Sequence, residues 1–389
     1  MRVVKSVRQY YSPTKETHGL LEDFRLMVND CVRIGLKENI TSMRRLCLAS
    51  YRALAEHPAV TYYRLTAISR AAGVLRSYRK SLRRNSQMKI PHAKKLMLTD
   101  CYGFRIQDGR LRLTLKTHEY TYIDLNPYTL AAIKGYTVRS VTLTPTVLSI
   151  AYSKEVEETE TKLSGAIGID RNLDNITVAS SDATIQRFEL SKSAEIKRVY
   201  REVKSRFKRN DVRIRRKVFA KYGTLQRNRT DWILNNCSSL IVKQAKAKRF
   251  GIAMENLKGL RRLYRRGNGQ GGNYRARLNS WSYFELQRQI EYKARWEGIP
   301  LVYVSARGTS VTCSTCGSRT YPNEQRGLYC AKCGTTVDRD VNAARNILAK
   351  GALRFGANGP PGEAMVAERE QKKATLIRTV DGGKSVHAN

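Results

Sequence analysis

The spacing of apolar residues predicts two kinds of structure in the first part of the chain. Residues 1–11 alternate between apolar and polar positions, which predicts a short strand. From residue 12 to about residue 95, apolar side chains recur every three or four positions, which is the stripe of packed helices. Over 96–152 the period becomes two, with a hairpin signal at Asp108-Gly109. We therefore expect helices beside a small β-barrel or sandwich that the N-terminal strand completes.

The second part of the chain has an α/β pattern, in which short apolar segments alternate with longer helical ones. The predicted strands are Gly165–Asp170, Asn175–Ser180, Thr184–Leu190, Phe250–Met254 and Leu301–Ser305. The predicted helices are Ser191–Arg249, Trp281–Gly298 and Arg339–Lys350, the last of them ended by Gly351. Because the first of these strands is almost entirely apolar, it should lie in the centre of a sheet.

Composition and charge bear on the partners of the protein. A length of 389 residues predicts two to three domains at roughly 150 residues each. Lys and Arg number 72 against 33 Asp and Glu, which gives a formal net charge of +39. Such an excess favours a long polyanion, and nucleic acid over an anionic membrane. The chain has no run of about 18 apolar residues, and its first eleven residues hold no apolar signal core, so neither a membrane span nor secretion is expected.

Two basic segments are candidate phosphate-facing surfaces. The stretch 57–99 contains ten Lys or Arg and no acidic residue, and 197–217 contains eleven basic residues against two acidic ones. A solvated helix surface normally carries both signs, so this bias favours contact with nucleic acid. In the second segment, Arg213, Arg215 and Arg216 are the candidate contacts.

Four of the eight cysteines form two Cys-x2-Cys pairs, which indicate a metal site in a chain without an export signal. The pairs are Cys313 with Cys316 and Cys330 with Cys333, and a glycine follows each pair. Four thiolates match tetrahedral Zn²⁺, with ordinary buried thiols or an iron–sulfur site as alternatives. Four protein ligands close the coordination shell, so the metal should be structural. The other cysteines are expected to be buried, namely Cys31, Cys47, Cys101 and Cys237.

Three acidic residues stand where a carboxylate is costly unless it is paired or binds metal. Asp170 and Glu255 end predicted buried strands, and Asp340 opens the last predicted helix. Parallel strand ends and a facing helix start can bring three carboxylates together, in a cluster that suits Mg²⁺ or Mn²⁺. Taken singly, each acid is also explained as a helix cap or a salt-bridge partner, and spacing alone leaves both interpretations open.

Three motifs resemble those of one nuclease family. Gly168-Ile169-Asp170 resembles the first motif of a RuvC-type nuclease, and the segment 254–259 (Met-Glu-Asn-Leu-Lys-Gly) resembles the second. The segment 309–346 resembles the third motif with its zinc ribbon. In this segment, Thr-Ser-x-x-Cys and both cysteine pairs precede Asp-Arg-Asp-x-Asn-Ala-Ala. This order, over about residues 163–350, resembles the transposon-encoded TnpB family, the apparent ancestors of type V CRISPR effector nucleases.

The resemblance implies an RNA-guided DNA endonuclease. Such an enzyme recognises a short flanking DNA motif, opens the duplex and cuts DNA at one Mg²⁺-dependent site, with Mn²⁺ as a substitute. Its partners would be a guide RNA and a target DNA in double- and single-stranded form, and its location the cytoplasm, at the nucleoid of a prokaryotic cell. The resemblance implies Asp170, Glu255 and Asp340 as the catalytic metal ligands, with Asp338 as a competitor for the third place. Arg307 is either a contact of the scissile phosphate or a surface arginine.

The patterns and the resemblance together predict a multidomain α+β protein. Its parts would be an RNase H-like (RuvC) α/β nuclease domain with a zinc-ribbon insert, a small wedge-like β-barrel, a helical recognition lobe, a linker rich in glutamate and a loose C-terminal tail. The boundaries are 165–308 and 338–351 for the nuclease domain, 309–337 for the insert, 1–11 and 96–152 for the barrel, 12–95 for the helical lobe, 153–164 for the linker and 352–389 for the tail.

Other classes of protein fit less well. A transposase of the Asp-Asp-Glu type has its acids in another order, since the order here is Asp, Glu, Asp with the cysteine module before the last. A histidine-based nicking transposase needs a His-x-His pair, and the five histidines form none. A catalytically silent or regulatory RNA-guided or zinc-ribbon DNA-binding protein should have lost acidic residues, and none of the three is missing. The sequence does not separate a transposon protein from a compact CRISPR effector.

Overall fold

The structure is a computed structural model that describes residues 1–58, 60–84, 87–156, 163–207, 210–264 and 269–356. The chain forms two compact units, Met1–Glu155 and Val156–Asn389. Each unit combines helices with sheets, so the expectation of a multidomain protein of mixed α and β structure is confirmed. The predicted loose tail lies outside the described residues from residue 357 onward.

The first unit begins with a strand that leads into a group of helices. Its elements in chain order are β1 (Arg2–Tyr10), α1 (Lys15–Lys37), α2 (Met43–Ser50), a 3-10 helix (Ala53–Glu56), α3 (Thr61–Leu82), β2 (Leu98–Asp100), β3 (Phe104–Gln107), β4 (Arg110–Lys116), β5 (Glu119–Asp124), α4 (Pro127–Ile133), β6 (Thr137–Leu143) and β7 (Val147–Glu155). Thr14 caps α1, because its hydroxyl accepts the N–H of Thr17 at 3.2 Å. Phe24 and Met27 of α1 are buried, as the helical stripe predicts.

The strands of this unit form antiparallel sheets in the orders β1-β7-β6-β2 and β3-β4-β5. The N-terminal strand pairs with β7 along its whole length, from Arg2 opposite Glu155 to Tyr10 opposite Val147. The N-terminal strand therefore joins a sheet with the strands of 96–152, as predicted. The β3–β4 hairpin turns at Asp108-Gly109, where both residues have positive φ, as a two-residue hairpin turn requires.

Parts of the first unit differ from the sequence-based expectations. Helix α4 lies where no element was predicted, and Asn126 caps it by accepting the N–H of Thr129. Residues Ser153–Glu155, included in the predicted linker, belong to β7 because they pair with β1. Cys101 is exposed in the turn after β2 and Cys47 is partly exposed, so the expectation that all of the scattered cysteines are buried is wrong.

The second unit is built on a mixed sheet in the order β10-β9-β8-β11-β12. Its elements are β8 (Gly165–Arg171), β9 (Asn175–Ser180), β10 (Ile185–Glu189), α5 (Ser191–Ser205), a π-helical segment (Ile214–Phe219), α6 (Ala220–Ala247), β11 (Phe250–Glu255), a 3-10 helix (Leu260–Tyr264), α7 (Gly272–Ser280), α8 (Tyr283–Glu297), β12 (Leu301–Val304), β13 (Tyr321–Pro322), a 3-10 helix (Glu324–Arg326), β14 (Gly327–Cys330), β15 (Thr335–Asp338) and α9 (Arg339–Phe355). Strands β8, β11 and β12 are parallel, whereas β8, β9 and β10 pair antiparallel. Strand β8 is buried in the middle, as predicted.

The pleat of β8 divides its side chains between two layers of helices. Ile167 and Ile169 face a large cluster that contains apolar residues of α6 and α8. Ala166 lies in a second cluster with residues of α9, and Gly168 lies directly against the backbone of that helix. Small residues on this second face allow α9 to approach the sheet more closely than larger side chains would permit.

Helix α9 does not end at Gly351, so that prediction is wrong. The helix continues to Phe355 and ends at Gly356, which adopts the left-handed conformation of a C-terminal cap at φ 62°. Gly351 is instead buried inside the helix, where a Cβ would overlap the Cβ of Ala253 on β11. A glycine at a contact point and a glycine at a helix end cannot be distinguished from the local sequence.

Within the described ranges, no helix has the length and apolar character needed to cross a bilayer.

Gly168→Ala tests the close contact between β8 and α9. The added Cβ would overlap the backbone N of Leu348 and the carbonyl O of Ala344, so the helix would have to move away. Overpacking of this kind costs about 1–3 kcal/mol, and we expect calorimetry to give a lower midpoint of thermal unfolding. Gly223→Ala in α6 is the control, because its Cβ would meet no heavy atom within 4 Å. Equal midpoints for Gly168→Ala and wild type would contradict the contact.

Candidate functional site

Two buried carboxylates lie side by side at the carboxyl edge of the sheet. Asp170 on β8 and Glu255 on β11 directly follow the parallel pair Ile169 and Met254, and they are 6% and 8% exposed. Asp170 lies two residues after Gly168, so its side chain is on the same face of the sheet as Gly168. Glu255 likewise lies two residues after Ala253, which contacts Gly351 of α9. Both carboxylates therefore lie on the face of the sheet that α9 covers.

The third predicted acid lies at the start of α9. Asp340 is 3% exposed, and its Oδ2 accepts a hydrogen bond from the side-chain amide of Asn175 on β9 at 3.2 Å. Its neighbour Asp338 has a different task, because its Oδ1 caps the helix by accepting the N–H groups of Asp340 and Val341 at 2.9 and 3.0 Å. Asp338 also forms a salt bridge of 2.8 Å with Arg187, which leaves Asp340 as the buried acid of the pair.

Each of the other two carboxylates is oriented by a neighbouring side chain. Asn172 donates to Asp170 Oδ2 at 2.7 Å, and the Thr309 hydroxyl donates to Glu255 Oε1 at 2.5 Å. Thr309 opens the segment that carries the cysteines, so one contact joins that segment to the sheet edge. Fixed hydrogen bonds of this kind limit the number of orientations that each carboxylate can adopt.

Burial and mutual repulsion make the group of acids electrostatically unfavourable when all are ionised. Burial and, to a smaller extent, the negative charges of Glu255 and Asp340 raise the pKa of Asp170 to about 7, although the hydrogen bond from Asn172 opposes the shift. A carboxyl group with a pKa near neutrality binds a proton or a cation readily. Oxygen donors of this type are the ligands that Mg²⁺ and Mn²⁺ prefer, so the donor set fits such an ion.

A buried arginine supports the same edge from behind. Arg171, 2% exposed, donates to the backbone carbonyl of Glu255 and, at 2.9 Å, to the side chain of Gln287 on α8. Its positive charge lowers the pKa of Asp170, although less than burial raises it. Arg171 therefore ties the ends of β8 and β11 together and partly offsets the concentration of negative charge.

A second arginine approaches from the cysteine-bearing segment. Arg326 donates to Asp340 Oδ1 at 2.6 Å, and its side chain is about half exposed. Arg187 lies on the other side, with 3.9 Å between its Nη2 and Asp340 Oδ2. Asp340 is thus held by cations from two different parts of the chain.

The four cysteines of the two pairs come together as predicted. Their sulfur atoms lie within 4.8 Å of one another, and they form the one group of at least three potential metal ligands found within the described ranges. Gly317 and Gly334 follow the pairs with φ of 74° and 66°, and their N–H groups donate to the carbonyls of Cys313 and Cys330. These tight turns need the left-handed conformation that glycine adopts without strain.

The charges within the cysteine group favour a bound cation. Hydrogen bonds from Ser318 lower the pKa of Cys316 to about 6, whereas the neighbouring Cys316 sulfur raises the pKa of Cys333 to about 12. One thiolate thus opposes the ionisation of the next. A divalent metal removes this conflict, and four thiolates match tetrahedral Zn²⁺.

The cysteine segment is attached to α9 close to Asp340. Asn342 accepts the N–H of Ser314 at 2.8 Å and donates to the carbonyl of Thr312 at 2.8 Å. Asn346 donates to the carbonyls of Thr309 and Thr312 at 2.9 and 2.7 Å. The position of the metal-binding turns is therefore linked to the helix that carries the third carboxylate.

The candidate nucleic-acid contacts are all on the surface. Arg213, Arg215 and Arg216 are exposed at the start of the helical segment before α6, and Arg307 is exposed two residues before Thr309. Their predicted roles remain predictions.

Sequence reasoning missed several residues at this edge. Arg171 continues a strand that is buried throughout, so its burial could have been inferred from the motif that ends at Asp170. Asn175 is the first residue of a predicted strand, but its contact with Asp340 could not be inferred from that position. Arg326 had no local signal, since its role depends on the way the cysteine segment folds back onto α9.

Parts of the chain are similar to known proteins. Residues 283–347 match the family model "Cas12f1-like, TNB domain". A TnpB-like protein of Methanocaldococcus jannaschii is 30% identical over 190 residues, which cover 47% of this chain and 67% of that protein. The CRISPR-associated endodeoxyribonuclease Cas12f1 of Sulfoacidibacillus thermotolerans is 40% identical over 72 residues, or 18% of this chain and 17% of that protein. The chain thus spans only a small part of this second relative.

The fold of the chain is also found among solved structures. The structure of a Cas12f1–sgRNA–target DNA complex aligns with 86% of this chain and 83% of the Cas12f1 chain, with a TM-score of 0.51 and 14% identity. At this identity the likeness concerns the fold alone. The archaeal relative is 30% identical and is matched over two thirds of its length, and on this basis the chain belongs to the TnpB family.

Proposed function

We propose that this chain is an RNA-guided DNA endonuclease that hydrolyses phosphodiester bonds at a single site. The observation that carries the proposal is the pair of buried strand-end carboxylates, Asp170 and Glu255, in which burial and the charges of Glu255 and Asp340 raise the pKa of Asp170. The relatives named as endodeoxyribonuclease and as a complex with guide RNA and target DNA support the substrate and the guide. The net charge of +39 suits both polyanions.

The finer architecture belongs to the same proposal. We assign the second unit to a RuvC-type, RNase H-like nuclease domain at 165–308 and 338–351 with a zinc-ribbon insert at 309–337. The antiparallel sheets of the first unit would form the wedge-like barrel, and α1 to α3 would form the recognition lobe. The central parallel strands β8 and β11, each ending in a carboxylate, support the nuclease assignment.

Asp170, Glu255 and Asp340 would hold the catalytic Mg²⁺ or Mn²⁺. The metal would supply Lewis-acid stabilisation of the charge that develops on the phosphate oxygens during hydrolysis. The protein's own contribution is orientation, because Asn172, Thr309 and Asn175 each fix one carboxylate. The N-terminus of α9 adds positive potential at the same place.

Asp340 is a better third ligand than Asp338 for a structural reason. Oδ1 of Asp338 caps α9 and binds Arg187, so this carboxylate holds the start of the helix, and its side chain is 37% exposed. Asp340 is buried, and its charge contributes to the raised pKa of Asp170. Arg326 contacts Asp340 and would therefore meet the negative charge of a DNA backbone that lies next to Asp340.

The first test separates cleavage from binding. Asp170→Ala should lower the cleavage rate by at least about 10²–10³-fold, because electrostatic stabilisation of the transition state is lost. Binding should persist, since it rests on guide pairing and backbone contacts. The substrate is a duplex that matches the RNA copurifying with the protein, and binding is measured by gel shift.

Variants of neighbouring acids are the controls for this test. Asp340→Ala should behave as Asp170→Ala does, whereas Asp338→Ala should retain cleavage and lose about 1 kcal/mol of stability as a helix cap. Asp182→Ala, in an exposed turn, should have no effect on cleavage. Full cleavage by Asp170→Ala would overturn the assignment of the carboxylates. Binding without cleavage by the wild type under Mg²⁺ and Mn²⁺ would favour a regulatory protein.

The raised pKa of Asp170 predicts a pH-dependent stability. Below pH 3.8 the carboxyl is protonated in both states, but between 3.8 and about 7 the unfolded chain releases the proton while the folded chain retains it. The folded state therefore loses relative stability as the pH rises, by about 4 kcal/mol at most above pH 7. Asp170→Asn removes this loss. In buffer without added Mg²⁺, the midpoint of Asp170→Asn should exceed that of wild type more at pH 8 than at pH 5. A difference that is the same at both pH values would contradict the shift.

The cysteine group predicts a structural metal. We expect elemental analysis of the purified protein to give about one zinc per chain. Cys330→Ser should lose the zinc and reduce cleavage indirectly, because the insert that carries Thr309 and Arg326 would no longer be held. Cys101→Ser, at an exposed cysteine, should keep both zinc and cleavage. Active protein that contains no zinc would refute this assignment.

A further inference from the structure

A series of hydrogen bonds leads from the carboxyl edge of the sheet into the helical layer behind it. It begins at Arg171, the last residue of β8, whose side chain lies on the opposite face of the strand from Asp170. Its Nη1 donates to Gln287 Oε1 on α8 at 2.9 Å. The side-chain Nε2 of Gln287 donates in turn to Glu291 Oε1 at 3.1 Å, one helical turn further along α8. Arg171 and Glu291 are thus connected through a single side chain.

Tyr303 on β12 holds the far end of this series. Its hydroxyl donates to Glu291 Oε1, and on the sheet Tyr303 is opposite Met254, the residue before Glu255. Burial and the neighbouring Glu291 carboxylate raise the pKa of Tyr303, so the hydroxyl keeps its proton and acts as the donor. Glu291 therefore accepts hydrogen bonds from α8 and from the sheet, which limits the orientations that its carboxylate can adopt.

The near end of the series reaches the backbone of a proposed metal ligand. The parallel pairing of β8 with β11 ends at Ile169 and Met254, and Arg171 donates to the carbonyl of the next residue, Glu255. The guanidinium thus continues the link between the two strands beyond their last pair of residues. A movement of Arg171 would be transmitted to the strand end that carries the Glu255 side chain.

The positive charge of Arg171 has to be balanced, because this residue is 2% exposed. Three carboxylates act on its charge, namely those of Glu255, Asp170 and Glu291. The first two are proposed metal ligands, whereas Glu291 belongs to the helix behind the sheet. A buried positive charge beside the ligands opposes the binding of a cation, and the negative charge of Glu291 reduces this opposition.

We propose that Glu291 is a positioning residue of the metal site, which acts through Gln287 and Arg171. The Glu291 carboxylate holds the NH2 group of the Gln287 amide toward itself, so that the amide oxygen faces Arg171. Without this acceptor the amide can turn over and present its NH2 group to a guanidinium, which can only donate. Arg171 would then lose its partner on α8, and the Glu255 backbone would no longer be held in one place. This role rests on the proposed function, because it concerns the same carboxylates.

Metal binding tests this role without reference to cleavage. Electron paramagnetic resonance measures free Mn²⁺ in titrations of the full-length protein with its copurified RNA, and Asp170→Ala gives the background from other sites. Glu291→Leu removes the charge and the acceptor, and it should weaken binding at the carboxylates by about 10-fold, the lower end of the effect for groups that orient metal ligands. Glu291→Gln retains an acceptor and should lose less. Gln287→Leu breaks the connection but leaves both charges, and it should also weaken binding.

A control variant and the Mg²⁺ dependence of cleavage separate positioning from folding. Glu297→Leu changes the last residue of the same helix, which pairs with Lys246, and it should bind Mn²⁺ as the wild type does. In Glu291→Leu the Mg²⁺ concentration for half-maximal cleavage should rise by the same factor as the Mn²⁺ dissociation constant. Saturating Mg²⁺ should then restore the rate, because the defect lies in binding of the ion.

Wild-type Mn²⁺ affinity in Glu291→Leu or in Gln287→Leu would overturn the proposal. A loss of cleavage in Glu291→Leu that saturating Mg²⁺ does not restore would overturn it too, since the residue would then serve the fold alone. If Glu291→Leu shows no cooperative thermal unfolding, Glu291→Gln and Gln287→Leu decide in its place. Equal Mn²⁺ binding by the wild type and Asp170→Ala would instead refute the carboxylate site itself, so failure of the proposed function is distinguishable from failure of the role of Glu291.

Discussion

Helix α9 packs directly against the backbone of β8 and β11, and the candidate active site depends on this contact. Gly168 on the strand and Gly351 on the helix have no side chain at the point of closest approach, where a Cβ on either would overlap its neighbour. Alanines fill most of the remaining interface. Because the helix lies so close to the sheet, its first turn reaches β9, where Asn175 contacts Asp340, and the charge of Asp340 acts on Asp170. A larger residue at either glycine would separate the parts of the site without altering any of its acids.

Bringing three acids into a buried place has an electrostatic cost, and the surrounding residues reduce it in different ways. Arg171 supplies a buried positive charge behind the sheet, while Arg187 and Arg326 contact Asp340 from the outer side. The pKa of Asp170 nevertheless remains near 7, so part of the cost is not offset by the protein. A group of acids of this kind is less stable by itself than with a bound cation.

The cysteine segment is too small to form an apolar core of its own, and the convergence of its sulfur atoms explains how it can hold a defined shape. The shape of this segment also affects the group of acids. Thr309 at its start contacts Glu255, Arg326 in its middle contacts Asp340, and its turns are bonded to Asn342 and Asn346 of α9. A structural metal would therefore influence the geometry of the carboxylates although none of its ligands touches them.

The sequence by itself determined the features that depend on local pattern and on residue type. The apolar run that ends in Asp170, the paired cysteines with their glycines and the period of each segment predicted the buried strand, the cluster of cysteines and most of the helices and strands, because each is encoded within a few neighbouring positions. Only the tertiary structure decided what depends on contacts between distant segments. It decided that Gly351 is a packing glycine rather than a helix end, that Asp338 caps α9 while Asp340 is buried, and that Arg171 and Arg326 support the site. The physical reason is that burial and pairing of a charge are set by the segments that pack around it, which the local sequence does not contain.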